Sequence, residues 1–269
     1  MISSLKRSFA GQWQAHRRET VKYLLVAALI VWLAGESIGA LDYHWQWYRI
    51  VDFLVVREGD GWRAGVLIQG LGVTLRIVLW SMALAFLCGL ATALLRLSHS
   101  LVGRAIARVY LETVRNTPLL TQIFFLYFVV APIFGIGRFP TAVLALSLFE
   151  GAYASEILRA GILSVDKGQW EAAHSLGFSR LQAYRWIILP QALRHILPPL
   201  TSQAVSLVKD SALVSTIAIL DLTMQGQMIV AETFLTFEIW FTVAAIYLAV
   251  TLTLSAMAWG MKNRFQAYH

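Results

Sequence analysis

Six apolar runs alternate with polar stretches along this chain of 269 residues, at about 23–41, 70–95, 118–136, 141–163, 199–220 and 237–261. Most of them approach the roughly 20 apolar residues that a helix needs to cross the hydrocarbon of a bilayer. The pattern predicts an all-α integral membrane protein of about six transmembrane helices. The first run has a second reading. Its basic flank (Lys6, Arg7, Arg17, Arg18, Lys22), its short apolar stretch and the small residues near Ala40 also describe a cleaved signal peptide. Either reading delivers residue 42 to the outer face.

The polar stretch from Ser164 to Leu200 carries the densest local signals. It predicts two short helices around a glycine break. Ser164 or Asp166 is placed to cap the first helix. Gly177 follows that helix's end, where a left-handed residue closes a helix at little cost. Ser179 and Gln182 have the spacing of a capping box and open the second helix. Leu181, Tyr184 and Ile188 fall on one side of it at helical spacing. Pro190 is expected to stop that helix, and Pro198 and Pro199 to begin the next span.

Composition agrees with a membrane protein: 58% of residues are hydrophobic, 14% are charged and the mean hydropathy is +0.64. A soluble domain carries about 25% charged residues. The net charge of +7 is scattered between the apolar runs. That scatter suits a topology signal better than a nucleic-acid surface. With both termini inside, sixteen Lys and Arg face the cytoplasm and four (Arg49, Arg57, Arg63, Arg138) face out, so the positive-inside rule selects this orientation. Arg96, Arg104, Arg108 and Arg115 then mark an inside loop. Trp45, Trp47, Tyr48 and Trp62, in the outer segment, suit the interfacial belt or a surface for a partner protein. A single cysteine, Cys88, excludes an intrachain disulfide framework. The six histidines are dispersed, and there is no H-E-x-x-H, G-x-S-x-G or phosphate-binding G-x-x-x-x-G-K-[ST].

Glu150, Glu156, Lys209 and Asp210 fall inside expected spans, where each charge costs about 2.5–3.5 kcal/mol. Such groups face a pore or one another. Two readings stand. With Gln203 they form a polar path for a zwitterionic solute, Lys209 toward a carboxylate and an acid toward an amino group. Alternatively they are a structural ion-pair network, with Glu156 and Arg159 paired three residues apart on one helix face.

Glu171-Ala172-Ala173, Gly177, Ile187 and Leu189-Pro190 match the pattern EAA-x3-G-x9-I-x-LP at every fixed position. This resembles the cytoplasmic coupling loop of permease subunits of bacterial ABC importers. The likeness extends over about residues 66–262 and is nearest to permeases for polar amino acids of the histidine, glutamine, glutamate and arginine type. Gly70-Leu71-Gly72-Val73-Thr74-Leu75 resembles the opening of that family's first core helix. Arg115-Asn116-Thr117-Pro118-Leu119 resembles its R-x-T-P-L segment, with Asn116 where glycine is common. Ala152-Tyr153-Ala154-Ser155-Glu156-Ile157 resembles AY-x-x-EI. Lys209-Asp210-Ser211-Ala212-Leu213 resembles K-D-[TS]-S-L, with Ala212 departing.

The resemblance implies a type I, MetI-like transmembrane domain: a five-helix core preceded by one extra helix. The expected organisation is a cytoplasmic N-terminus at 1–22, the extra helix at 23–41 and a periplasmic segment at 42–65. The permease core follows at 66–262, with its coupling loop at 164–195, and a cytoplasmic tail at 263–269. It also implies ATPase coupling through Glu171, Ala172, Ala173, Gly177, Ile187, Leu189 and Pro190, the two alanines allowing close approach to the ATPase. The implied partners are separate ATPase subunits, which bind the ATP and Mg, an external substrate-binding protein, and a second identical or homologous permease. No cofactor is expected in this chain, and it is not expected to be an enzyme. The substrate expected is glutamate, glutamine, aspartate or a broad range of polar amino acids. An opine or a basic or sulfur amino acid is the alternative, and a secondary transporter a more distant one.

Overall fold

The computed structural model describes residues 20–30, 32–33, 35–36, 43–59 and 61–266. The chain forms two units, Met1–Trp45 and Gln46–His269. The first contains the helix Thr20–Ile30 (α1), which begins before the expected extra helix at 23–41 and overlaps its first part. The proposed cleavage region near Ala40 lies outside the described residues.

The second unit opens with a short helix, Ile50–Leu54 (α2), and an antiparallel hairpin of Val55–Glu58 (β1) and Gly61–Ala64 (β2), pairing Val55 with Ala64. Val66–Leu97 (α3) follows. Its 32 residues extend about 48 Å at 1.5 Å per residue, more than a bilayer core requires. Leu101–Arg115 (α4) and Leu119–Phe134 (α5) form a pair bent by 107°. Arg138–Leu163 (α6) leads to the connecting loop, which holds Lys167–Ser175 (α7) and Arg180–Ala183 (α8). The remaining helices are Leu189–Asp210 (α9), Leu222–Thr233 (α10) and Thr236–Gln266 (α11). A 3-10 segment, Ser211–Ile217, separates α9 from α10. Among the described residues α3, α6 and Thr236–Gly260 of α11 are each long and apolar enough to cross a membrane, and the bent α4–α5 pair qualifies jointly.

Small side chains let α3 and α6 cross closely. Ser81, Ala85 and Gly89 on α3 face Ser147, Gly151 and Ala154 on α6, each set spaced near one helical turn. A Cβ on Gly151 would lie 2.9 Å from Cys88 Cβ and 3.1 Å from the Tyr110 hydroxyl oxygen. The Ser147 hydroxyl donates to the Ser81 carbonyl at 3.3 Å, so the crossing also satisfies polar groups. Around it Ile77, Ile123, Leu146, Leu207 and Ile217 build a core joining α3, α5, α6 and α9. A second cluster (Leu67, Leu222, Ile229, Leu235, Ile239) closes the end that carries α2 and α10.

The structure departs from the expected pattern at several places. The stretch after α3 is not simply a loop: α4 is a 15-residue amphipathic helix, capped where Ser100 Oγ accepts from Gly103 N at 3.1 Å. The polar stretch between the last two apolar runs is helical too, because Asp221 Oδ1 accepts from Met224 N at 2.9 Å and so opens α10. Burial pushes the Asp221 carboxyl up to about 6, opposed by the Met224 hydrogen bond. Pro190 does not stop the second loop helix. A π turn, Tyr184–Ile188, carries the backbone from α8 into α9, with Leu189 N donating to Tyr184 O. This widened turn opens the hydrogen-bond ladder just before Pro190, where a missing N–H and a bulky ring are tolerated. The same device, a π turn at Leu126–Val130, precedes Pro132 in α5. Pro198 and Pro199 accordingly sit inside α9 rather than at its start. Of Leu181, Tyr184 and Ile188, expected on one side of the second helix, Ile188 is fully buried and Leu181 is 79% exposed.

Candidate functional site

The connecting loop is built from local signals. Asp166 Oδ1 accepts from Gly168 N at 2.7 Å and caps α7. At the other end Phe178 N donates to Ala173 O at 3.1 Å and Gly177 N to His174 O at 3.0 Å, with Gly177 at φ 76°. That is a Schellman closure, and its left-handed residue suits glycine. The capping box is complete: Ser179 Oγ accepts from Gln182 N, and Gln182 Oε1 accepts from Ser179 N at 2.8 Å. Trp170 and Tyr184 meet edge to face, centroids 4.7 Å apart, and tie α7 to the π turn. Gln191 Nε2 donates to Gln169 Oε1 at 3.1 Å and ties it to α9.

Glu171 and Ala172 are exposed on α7, but Ala173 is fully buried within the chain. Ala173 therefore packs the loop inward instead of lining a surface for close approach by another protein. Ile187 is half-buried, and Leu189 and Pro190 are exposed. Residue pattern alone did not single out Leu176, which is 75% exposed beside Gly177, or the exposure of Leu181 across the same turn. Their signal was two leucines flanking a cap inside an otherwise polar stretch.

The second site is a polar groove between α6, α9 and α11. Glu150 is almost fully buried on α6, and Gln203 Nε2 of α9 donates to its Oε2. Gln203 lines two cavities. One, about 870 Å³, also presents Ser202, Ser206 and Lys209 of α9 opposite Ser255 and Trp259 of α11. The other, about 640 Å³, runs between α3, α6 and α9 and presents Glu150 among apolar side chains such as Leu79, Phe86 and Leu200. Asp210 lies one helical repeat beyond Gln203, seven residues on, close enough to interact with the Glu150 carboxyl. Glu150 Oε1 is buried without a hydrogen-bond partner among the described residues. Gln203 thus joins two cavities, the larger lined by Lys209 and the smaller by Glu150, with Asp210 beside the Glu150 carboxyl.

Glu156 sits elsewhere, six residues along α6. Arg96 donates to its Oε1 at 2.5 Å, Arg115 to the same oxygen at 3.2 Å, and Arg159 to Oε2 at 3.3 Å. The expected pairing with Arg159 is present, but it belongs to a cluster that joins the ends of α3, α4 and α6.

Membrane-length helices around a polar groove, with one capped helix–turn–helix loop presented to solvent, make the architecture of a transport permease. Residues 81–261 match the family described as binding-protein-dependent transport system inner membrane component, and the chain belongs to that family. It is 38% identical over 204 residues to the glutamine transport system permease protein GlnP of Escherichia coli K12, covering 75% of this chain and 93% of that one. It is 37% identical over 206 residues to the L-cystine transport system permease protein TcyB of Bacillus subtilis, covering 76% and 88%. A solved amino acid ABC transporter, crystallised with histidines, is 39% identical over 74% of this chain and 94% of its own, with a TM-score of 0.69. The MetNI methionine transporter, at 18% identity and a TM-score of 0.63, shares the fold.

Proposed function

We propose that the chain is the permease subunit of an ATP-driven importer of polar amino acids. The observation that carries this reading is the Glu171 to Pro190 pattern, complete at every fixed position and folded as an exposed, doubly capped helix–turn–helix. Relatives named for glutamine and cystine transport support the substrate class. In this reading separate ATPase subunits bind ATP and Mg and seat against the loop through Glu171, Ala172, Leu176 and Leu181. A substrate-binding protein delivers the amino acid from the outer side, and a second permease completes the path. Both termini lie in the cytoplasm of a bacterial inner-membrane protein. The chain itself performs no catalysis and holds no cofactor. Lys209 and Gln203 face the larger cavity, where a substrate carboxylate finds a cation and a hydrogen-bond donor. Glu150, or Asp210 beside it, supplies the acid for the amino group.

Reconstitution of the chain with its ATPase and binding protein into proteoliposomes tests this. Uptake of labelled glutamine, glutamate, aspartate or cystine should require ATP and survive collapse of ion gradients. Lys209→Ala and Asp210→Ala should each lower uptake about tenfold or more while the ATPase still copurifies, since a hydrogen bond to a charged group is worth about 1.5–3 kcal/mol. Uptake driven by an ion gradient without ATP would mark a secondary transporter instead. Orientation is read separately. A Gln169→Cys, Cys88→Ala variant should react with an impermeant thiol reagent only from the cytoplasmic side.

A further inference from the structure

Helix α4 lies across the direction of the helix that follows it. If α5 spans the bilayer, the 107° bend lays α4 nearly in the plane of the membrane surface. Three edges run along α4 at 100° per residue. Gly103, Ala107, Leu111 and Val114 are buried against the rest of the chain. Val102, Ile106 and Val109 form an apolar edge and are 69%, 58% and 67% exposed. Arg104, Arg108 and Arg115 fall within about 40° of one another on a third edge.

That basic edge opens on a small cavity of about 220 Å³ lined by Arg96, Arg104, Arg108, Arg115, Arg159, Glu112 and Glu156. Five cations thus face two carboxylates. Glu156 takes up Arg96, Arg115 and Arg159. Among the described residues Arg104 and Arg108 have no ion pair and no side-chain hydrogen bond, and Glu112 is bonded by Asn116 Nδ2 at 2.9 Å. The Nε of Arg159 is buried and has no hydrogen-bond partner. The pocket therefore holds excess positive charge and unused guanidinium donors, on the side of α4 opposite its apolar edge, which is the layout of a helix lying at a membrane surface. Guanidinium forks match phosphate oxygens in geometry and charge.

We propose that this arginine pocket binds the phosphate headgroup of an anionic phospholipid, held by Arg104 and Arg108, while Val102, Ile106 and Val109 on the other side of α4 seat the helix in the bilayer surface. That seating, which holds the pocket at the level of the headgroups, is what favours a lipid over a free phosphate ion of the same chemistry. The proposal takes the membrane-spanning permease reading as given. The orientation proposed above places the site in the cytoplasmic leaflet, where a headgroup would steady the joint between α3, α4 and α6.

The test is lipid retention by the purified permease–ATPase complex, measured by native mass spectrometry after equilibration in micelles containing equal phosphatidylglycerol and phosphatidylcholine. This readout does not depend on which leaflet the site occupies, nor on transport, so it can fail while the transport reading stands. Wild type should retain phosphatidylglycerol preferentially. Arg104→Gln with Arg108→Gln should lower that retention by about tenfold to thirtyfold, the effect of removing two basic residues from an anionic surface. Arg104→Lys with Arg108→Lys should keep most of it. Arg57→Gln with Arg63→Gln, the same change of charge on the hairpin, should leave it unaltered. Arg104 and Arg108 are exposed, and unchanged elution and ATPase content would show that the variant folds. If the glutamine pair fails that check, Arg108→Gln alone gives the same reading at smaller size. Equal retention of the two lipids, or retention untouched by the glutamine substitutions, would overturn the proposal. So would complete displacement of phosphatidylglycerol by millimolar inorganic phosphate, which would make this a free-anion site.

Discussion

The connecting loop and the α3–α6 crossing both depend on glycine, yet for opposite reasons. In the loop Gly177 has open space around it and is held by its backbone angle, φ 76°. At the crossing Gly151 is ordinary helix, and what it supplies is the room for Cys88, Tyr110 and the carbonyl of Ala85. The loop is thus shaped by residues within a few positions of one another: one cap at Asp166, a Schellman closure, a capping box. The crossing is shaped by residues more than 60 positions apart. A substitution in the loop should change an angle and leave the bundle standing, whereas one at the crossing should take the bundle apart.

The largest expected effect breaks the crossing. In Gly151→Leu the added side chain meets atoms of two other helices, and overpacking of this kind costs about 1–3 kcal/mol or more. Membrane accumulation and monodisperse elution after solubilisation should both fall sharply. Normal yield would show that α3 and α6 have slack the geometry does not suggest.

Gly177→Val comes next. A β-branched residue at positive φ is strongly disfavoured, at a local cost of about 1–3 kcal/mol. The bundle should still insert and pair, while α7 and α8 meet at a new angle. The complex should lose ATPase subunits, or keep them with hydrolysis that no longer responds to loaded binding protein. Gly177→Asn, which tolerates the left-handed region, should behave nearly as wild type. Unchanged ATPase content and stimulated hydrolysis in the valine variant would remove the loop from coupling.

The mildest effect sharpens the contrast. Ser179→Ala removes one half of the capping box, worth about 1 kcal/mol, at a fully solvated site. Proteolysis within the loop should quicken a few-fold with no change in the thermal unfolding of the complex. A drop in global melting temperature would mean that loop and bundle unfold as one unit.

The groove stands between these two regimes. Its members were legible as costly charges inside apolar runs, but their grouping was not. Glu150 and Glu156 are six residues apart on one helix and look equivalent in the sequence. The fold points Glu150 at Gln203 across α9 and Glu156 at three arginines from α3, α4 and α6. Ala173, small in the sequence and buried in the fold, shows the same thing. Short-range pattern marks a position as small without saying which neighbour requires it to be small.

By itself the sequence determined what depends on neighbours within one or two helical turns. It set the apolar runs, the caps at Asp166 and Ser179, the left-handed Gly177 and the charge asymmetry between alternate loops. It also set family membership through the fixed positions from Glu171 to Pro190. Tertiary structure alone decided what depends on contacts between distant segments. Pro190 continues a helix because a π turn just before it widens the ladder, a register change that no propensity announces. Residues 101–115 form an amphipathic helix instead of a loop because Leu111 and Val114 find Phe149 and Ala152 of α6 to pack against. Helix propensity in so short a stretch is marginal, and a buried face is what makes it fold.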